Sequence, residues 1–327
     1  MRIPSSAMKL CLAAAAAALT MLPAWAQSGK FPDKMMRIVV PFAAGGGVDQ
    51  TARVLATQLG HQLGVSVIVE NKPGASGVLG GRFVQTAPAD GYTLLFSAAT
   101  HVLAREVLSN APYDPQTDFA PVARVGEAPL MLVIAPTLAP QKLQDLTAAI
   151  RKEPEKWSAG IPAAGAPSHL ATLLLAQQAR LKLTYVAYKG TQPALVDVAG
   201  GHIQMLLDSM ISLLPLAKSG KVKPIVITST ARSALMPEVP TAQESGMPQF
   251  SYASWYGVWA PKDTPPERVK LLSAAITQAV AELGKQGALA NLGVDPAPLE
   301  PEAFRRYIAG YVTQSGELLK GAGFRPE

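Results

Sequence analysis

The sequence predicts an α/β fold in which buried parallel strands alternate with helices. Short runs of β-branched residues, such as Met36–Val40, alternate with segments whose apolar residues recur at helical spacing. Glycine, proline and aspartate separate these segments. The first five elements follow in the order strand, helix, strand, helix, strand, which predicts a parallel sheet with helices on both faces.

In the first third of the chain, each element has its own signal. Leu55 and Leu59 belong to an apolar series at helical spacing, and Gly64 ends that helix. The predicted strands are 36–40, 65–69 and 92–96, and the predicted helices are 48–63 and 77–86. The turn Ala89-Asp90-Gly91 leads into the third strand.

Residues 122–125 and then 130–134 are predicted as a strand that passes into a crossover. A second α/β unit follows. Its predicted strands are 183–187, 203–207 and 223–228, and its predicted helices are 143–152, 168–180 and 192–199. A strand at 255–260 returns the chain to the first unit, where helices 265–283 and 301–319 pack. The predicted domains are therefore residues 27–128 with 230–327, and residues 129–229. Two such units predict a cleft between them, the usual place for a small-molecule site.

The N-terminus has the pattern of a cleavable signal peptide, which predicts export to the periplasm. Arg2 and Lys9 precede an apolar run at 10–22, and Ala24-Trp25-Ala26 is the small-x-small pattern that signal peptidase accepts. We place the cut after Ala26, with a retained membrane anchor as the alternative. Cys11 is the only cysteine, so the mature chain is expected to lack disulfides and thiolate chemistry.

Composition narrows the function further. The hydrophobic share is 49% and the charged share 16%, which describes a folded globule. The net charge of +6 comes without a run of lysine and arginine, so no nucleic-acid partner is expected. The four histidines lack the spacing of metal ligands, and we expect neither a metal nor a cofactor.

Three glycine-containing loops, each between a predicted strand and a predicted helix, are the candidate binding elements. They are residues 41–49, 71–77 and 163–169. Glycine lets the backbone turn sharply, and the N–H groups at a helix start bind anions. If these helix starts face one cleft, carboxylates or phosphates are the natural ligands.

Other interpretations of these loops stay open. Asp49 can cap the first helix, Lys72 can be solvated, and His169 can be a core residue or an orienting hydrogen-bond partner. An exported α/β hydrolase with Ser168 or Ser76 as nucleophile is the alternative function, although residues 74–77 are one residue short of a nucleophile elbow. A nucleotide- or phosphate-binding enzyme is a third hypothesis, but the chain has no GxxxxGK[ST] motif.

Motifs from about Phe31 to the C-terminus match one family in order and spacing. They include RIVVPF at 37–42, VENKPGA at 69–75, DGYTLL at 90–95, DFAPV at 118–122, YKG at 188–190 and PEVPT at 237–241. The chain resembles the extracytoplasmic receptors of tripartite tricarboxylate transporter systems, often called Bug proteins. The resemblance implies a type II periplasmic-binding-protein fold, a Venus flytrap of two α/β lobes around a central cleft. It also implies a receptor, not an enzyme, that closes around a small mono- or dicarboxylate for a membrane transporter or a sensor. A monomer is the default expectation.

The resemblance also implies which residues bind the ligand, through backbone N–H groups, hydroxyls and bridging waters. In the first lobe they are Phe42, Ala44, Gly45, Gly46, Asp49, Ser76 and Ser97, and in the second Ala164, Gly165, Ser168, His169, Lys189, Gly190 and Asp208. Among these, Gly45, Gly46 and Gly165 are the expected backbone donors, and Ser168 the hydroxyl donor.

One loop departs from the family pattern. Relatives commonly read Ser-x-Gly-x-Gly-Ser in the second-lobe loop, whereas this chain has Ala166 and Pro167 before Ser168. Proline suits a first helical turn but has no N–H to donate. We therefore expect either that the distal half of the ligand is bound differently here or that the ligand is less polar at that end.

Overall fold

The computed structural model of the protein describes residues 31–326, so the predicted signal peptide at 1–26 lies outside the described residues. The chain divides into a segment up to Asp33 and a compact unit from Lys34 onwards. Every helix and strand of residues 31–326 belongs to the second of these.

The first sheet is built on three parallel strands, as predicted. Strands β1 (Met36–Val40), β2 (Val67–Asn71) and β3 (Thr93–Ala98) lie in the order β2-β1-β3, and β9 (Ala253–Pro261) then pairs with β3 in the antiparallel sense. Helix α1 (Gly47–Leu63) joins β1 to β2, and α2 (Val78–Gln85) lies between β2 and β3. Gly64 ends α1 in the left-handed conformation (φ 69°), which glycine adopts without a steric cost.

Strand β4 (Phe119–Ile134) belongs to both halves of the sheet. Up to Pro129 it pairs with β9, and β10 (Asp295–Leu299) pairs with its other edge. From Leu130 onwards it pairs with β7 (Met205–Ser209) and β8 (Lys223–Ile227). The two predicted runs, 122–125 and 130–134, form one continuous strand that crosses from one half of the sheet to the other. Register shifts near Pro121 and Gly126 absorb the irregular residues, so the strand continues.

The second half of the sheet is again parallel at its outer edge. Strand β5 (Ser158–Ile161) pairs in parallel with β6 (Thr184–Ala187) and with β7. The helices of this half are α4 (Leu143–Lys152), α5 (Pro167–Ala179), α6 (Thr191–Gly200) and α7 (Met210–Lys218), while a short α3 (Ala104–Val107) precedes β4. The sequence analysis missed β5, β10, α3 and α7.

Two long helices, α8 (Pro266–Lys285) and α9 (Pro301–Gly321), complete the fold. Because side chains alternate along a strand, Val39 and Leu95 point to the same side of the sheet, where they share an apolar cluster with Val84 of α2 and Phe304 of α9. We call the region around β1, β2, β3 and β9 the first lobe, and the region around β5, β6 and β7 the second. The exact boundaries at residues 128 and 229 stay a prediction.

Candidate functional site

A cavity whose empty space, including space open to solvent, is about 540 Å³ lies between the two lobes. Residues from both lobes line it: Phe42, Ala43, Gly46, Gly47, Val48, Asp49, Ala98, Thr100, Pro162, Ala163, Ala166, Pro167, Ser168, Gly190, Thr191, Asp208, Ser209, Ser254 and Tyr256. The first residues of three helices, α1, α5 and α6, are among them.

Helix α1 presents free backbone donors to the cavity. Gly46 is its N-cap, no side chain caps it, and its first backbone bond runs from Gln50 N–H to Gly46 O. The N–H groups of Gly47 and Val48 therefore have no partner within the helix. Unpaired N–H groups and the positive end of the helix dipole together favour an anion.

Helices α5 and α6 do the same from the second lobe. The first backbone bond of α5 joins Leu170 N–H to Ala166 O, and α6 begins after Gly190, again without a capping side chain. Pro167 is the first residue of α5 and has no N–H, so Ser168 is the first residue of that helix able to donate from its backbone.

Asp49 is buried and holds the first loop in shape. Its carboxylate accepts hydrogen bonds from Gly45 N–H (2.9 Å), Asn71 Nδ2 (2.9 Å) and Arg53 Nε (3.1 Å). Burial would raise the pKa of Asp49, but these hydrogen bonds and the Arg53 charge outweigh it and lower that pKa. Asn71 also donates to Phe42 O (3.0 Å), so the loop is tied to the end of β2.

Asp208, on the second lobe, has fewer neighbouring groups that stabilise its negative charge than Asp49 has. It accepts hydrogen bonds from the Thr191 hydroxyl (2.6 Å) and from Ser209 N–H (2.7 Å). Burial raises its pKa, and the two hydrogen bonds oppose that rise. Two buried carboxylates thus line one cavity, and only Asp49 has a cation beside it among residues 31–326.

The two lobes touch at the rim of the cavity. Gln192 Nε2, at the start of α6, donates to Gly45 O of the first loop at 3.1 Å. Gln50 of α1 donates to the same carbonyl oxygen at 2.9 Å from within the first lobe. A Cβ added to Gly190 would lie 3.7 Å from the Cβ of Ala43, so the backbones are close enough that the cleft is closed at this point.

The structure places six of the fourteen expected binding residues on the cavity wall. They are Phe42, Gly46, Asp49, Ser168, Gly190 and Asp208. The others lie elsewhere: Ala44 and Lys189 are exposed, Ala164 is in the apolar core, and Ser97 is buried in β3 with no hydrogen-bond partner for its hydroxyl in the described chain. Ser76 lies in a short turn at Ala75–Gly77, outside the lining.

Two of the expected backbone donors are already bonded inside the protein. Gly45 N–H donates to Asp49, and Gly165 N–H donates to His169 Nδ1 at 3.1 Å. In this conformation neither N–H is available to a ligand. Gly47, Val48 and Ser168, two or three residues further along the chain, line the cavity instead.

His169 is placed for packing. Burial lowers its pKa to about 4, and its ring meets Phe324 edge-on at 5.3 Å between ring centroids. Its Nδ1 accepts the Gly165 N–H bond, which agrees with the orienting role left open for it. To act as a general base for the Ser168 hydroxyl, His169 would need a free ring nitrogen directed at that oxygen, and its Nδ1 is already bonded to Gly165 N–H.

Sequence reasoning missed several hydroxyl groups on the cavity wall. They belong to Thr100, Thr191, Ser209, Ser254 and Tyr256. Thr191 and Ser209 each directly follow an expected residue at a helix start, and that adjacency was a usable signal. Tyr256 lies within the apolar strand β9, where nothing in the local sequence separates it from core residues.

Within residues 31–326, no group of three or more histidine, cysteine, aspartate or glutamate side chains could hold a metal ion. The helices of the same part of the chain include none that is both long and apolar enough to cross a bilayer.

Comparison with known proteins identifies the family. The family described as "Tripartite tricarboxylate transporter family receptor" matches residues 51–324. The chain belongs to this receptor family. Because the family consists of solute-binding receptors, the protein is not an enzyme, and the hydrolase alternative is set aside.

Similar solved structures confirm the fold class. The periplasmic binding protein BugD is 34% identical, with a TM-score of 0.85 over 91% of this chain and 100% of BugD. Rpa4515 of R. palustris with adipate is 30% identical (TM-score 0.85; 91% and 100% covered). MatC from Rhodopseudomonas palustris with bound malate is also 30% identical (TM-score 0.80; 88% and 100% covered). The chain therefore has the periplasmic-binding-protein fold that the sequence predicted.

Proposed function

We propose that the protein is a periplasmic receptor that binds a small mono- or dicarboxylate in the cavity between its lobes. It delivers this solute to the membrane subunits of a tripartite tricarboxylate-type transporter or to a sensor. The observation that carries the proposal is the convergence of uncapped helix N-termini from both lobes on one cavity. Such helix ends bind carboxylates through N–H groups and dipoles, without a positively charged side chain.

The two lobes supply complementary parts of this site. Gly47 and Val48 at the start of α1 line the cavity from the first lobe, and Ser168 at the start of α5 lines it from the second, so we expect a dicarboxylate to be bound at both ends. The adipate and malate relatives support a carboxylate ligand. We also propose that the receptor binds its ligand as a monomer.

A thermal-shift screen tests this function. Mature protein beginning after Ala26, unfolded and refolded to remove carried-over ligand, is heated with each member of a library of mono- and dicarboxylates. A true ligand at about 100 times its Kd should add about 2.7 kcal/mol to the free energy of unfolding, seen as a raised midpoint. We expect a few acids to raise it and to be recovered unchanged.

Nucleotides, esters and neutral sugars serve as controls in the same screen. If one of these raised the midpoint and no acid did, the carboxylate proposal would be wrong.

Closure of the lobes should depend on the hydrogen bond between Gln192 and Gly45. Gln192→Ala is expected to weaken binding of the best acid from the screen by about 2- to 10-fold, the usual net worth of one hydrogen bond. The bond exists only when the lobes meet, so its loss lowers the population of the closed state. Isothermal titration calorimetry gives the two affinities.

Gln50→Ala is the matched control, because Gln50 donates to the same oxygen from within the first lobe. The affinity of Gln50→Ala should stay within about twofold of that of the parent protein. The Gln50–Gly45 hydrogen bond lies within the first lobe, so it stabilises the open and the closed state equally. Equal weakening by both substitutions would show that the Gly45 carbonyl matters for the loop and not for closure.

A further inference from the structure

Asp208 places a carboxylate side chain in the cavity that is proposed to bind a carboxylate ligand. It is buried and lines the same cavity that presents N–H donors to an anion. Two negative charges in one enclosed site repel each other, so a ligand carboxylate next to an ionised Asp208 is disfavoured unless something is placed between them.

The groups packed around Asp208 compensate its charge only partly. The Thr191 hydroxyl binds one carboxylate oxygen and Ser209 N–H the other, and α7 begins directly after Ser209. Tyr256 is the further titratable group that acts on this region, with its hydroxyl 3.4 Å from Ser209 Oγ. Among the ion pairs of residues 31–326, none includes Asp208.

The negative charge of Asp49, the other carboxylate on the cavity wall, is fully compensated by its hydrogen-bond donors and a neighbouring cation. Asp49 accepts hydrogen bonds from Arg53, Asn71 and Gly45 N–H, and the Arg53 guanidinium neutralises it. Each Asp208 oxygen accepts one hydrogen bond, and a carboxylate oxygen has room for a second. Asp208 therefore keeps an acceptor capacity on the wall of the cavity.

We infer that the physiological ligand carries a hydrogen-bond donor, a hydroxyl or an ammonium group next to a carboxylate, that binds Asp208. The inference rests on the proposed carboxylate function and narrows it from carboxylates in general to hydroxy- or amino-substituted ones. The donor occupies the acceptor capacity of Asp208 and separates it from the ligand carboxylates, which bind the helix N-termini. Relatives solved with unsubstituted adipate and with hydroxylated malate are each 30% identical to this chain, so their identity does not decide between the two chemistries.

The test compares acids that differ in one substituent. Succinate, malate, 2-methylsuccinate and aspartate have the same four-carbon dicarboxylate backbone. Malate and 2-methylsuccinate are similar in size, but only malate has a donor. Glutarate, 2-hydroxyglutarate, 2-methylglutarate and glutamate extend the comparison by one carbon. Affinities are measured by isothermal titration calorimetry on ligand-free mature protein at neutral pH.

In at least one series, we expect the hydroxyl or amino member to bind about tenfold or more tightly than both the unsubstituted and the methyl members. A hydrogen bond to a charged group is worth at least that factor. In Asp208→Asn the preference should fall at least fivefold, because the amide is neutral and its hydrogen bonds are weaker.

Asp197→Asn is the matched control. Asp197 is on α6 and accepts a hydrogen bond from the Tyr188 hydroxyl (2.6 Å), but it does not line the cavity. Asp197→Asn should keep the ligand preference of the parent protein. Thermal unfolding checks that Asp208→Asn and Asp197→Asn are both folded.

Each outcome has a defined meaning. If the methyl and hydroxyl members bind equally to the parent protein, the inference is wrong while the carboxylate function stands. A preference that survives unchanged in folded Asp208→Asn also overturns it. If no acid of either series binds and none from the wider library does, the carboxylate function itself fails and the inference fails with it.

Discussion

Replacing Gly47 by alanine should weaken ligand binding by roughly 5- to 150-fold. A Cβ at this position would lie 2.5 Å from Ser209 Oγ and 2.9 Å from the Tyr256 hydroxyl. Ser209 belongs to β7 of the second lobe, and its Cβ would stay 3.1 Å from the new methyl group whichever way its hydroxyl rotates. This contact crosses the lobes, so it costs about 1–3 kcal/mol in the closed state only, whereas the contact with Tyr256 lies within the first lobe and persists when the lobes open. Calorimetric titration with the best acid from the screen measures the loss of affinity.

Gly310→Ala is the control for this substitution. Gly310 is an exposed residue of α9, and a Cβ there meets no atom within 4 Å. It should leave affinity unchanged and slightly raise stability, because alanine favours a helix over glycine. If Gly47→Ala bound as tightly as the parent protein, the liganded state would have to be more open at this point than the structure shows.

Asp49→Ala should lower the free energy of unfolding by about 2–3 kcal/mol. The substitution leaves Gly45 N–H and the Asn71 amide without their acceptor in a largely buried setting. Arg53 is half-exposed, so water replaces most of what that side chain loses. Urea unfolding at neutral pH measures the difference, and Arg53→Ala, which removes only the exposed partner, should cost less than about 1 kcal/mol.

The lowered pKa of Asp49 also fixes the direction of a pH dependence. In the unfolded chain the carboxyl titrates near its ordinary value of 3.8, and in the folded protein it titrates lower. Its contribution to stability is therefore complete above about pH 4 and is lost as the pH falls through the folded value. The stability difference between the parent protein and Asp49→Asn should narrow in acid. A constant difference from pH 7 to pH 3 would contradict this account of Asp49.

The sequence predicted most of the regular elements because their signals are local. Helix α4 begins and ends where its periodicity does, and β1 is a short β-branched run. The elements it missed lack such signals. Strand β5 contains a glycine, and α7 contains Pro215 inside an apolar stretch without helical periodicity. Their structure depends on packing against β7 and β4, which local sequence does not show.

The sequence predicted which loops form the site, but not which N–H groups in those loops are free to bind a ligand. Glycine-containing turns before helices located the starts of α1 and α5 correctly. Which N–H groups remain free depends on side chains several residues away, since Asp49 takes the Gly45 donor and His169 takes the Gly165 donor. A pairing of this kind is decided by the three-dimensional course of each loop.

Strand β4 belongs to both halves of the sheet, but its partner β9 in the first half comes late in the chain. This limits the order in which the two halves of the sheet can be completed. Strand β9 is the neighbour of both β3 and β4, and it begins at Ala253, whereas β3 ends at Ala98. The β3 edge of the first sheet thus stays unpaired until the last quarter of the polypeptide has been synthesised. The second sheet needs only the end of β4 and strands up to β8, which ends at Ile227. The middle of the polypeptide can therefore fold before its beginning does, and a fragment that stops before β9 would expose strand edges prone to aggregation.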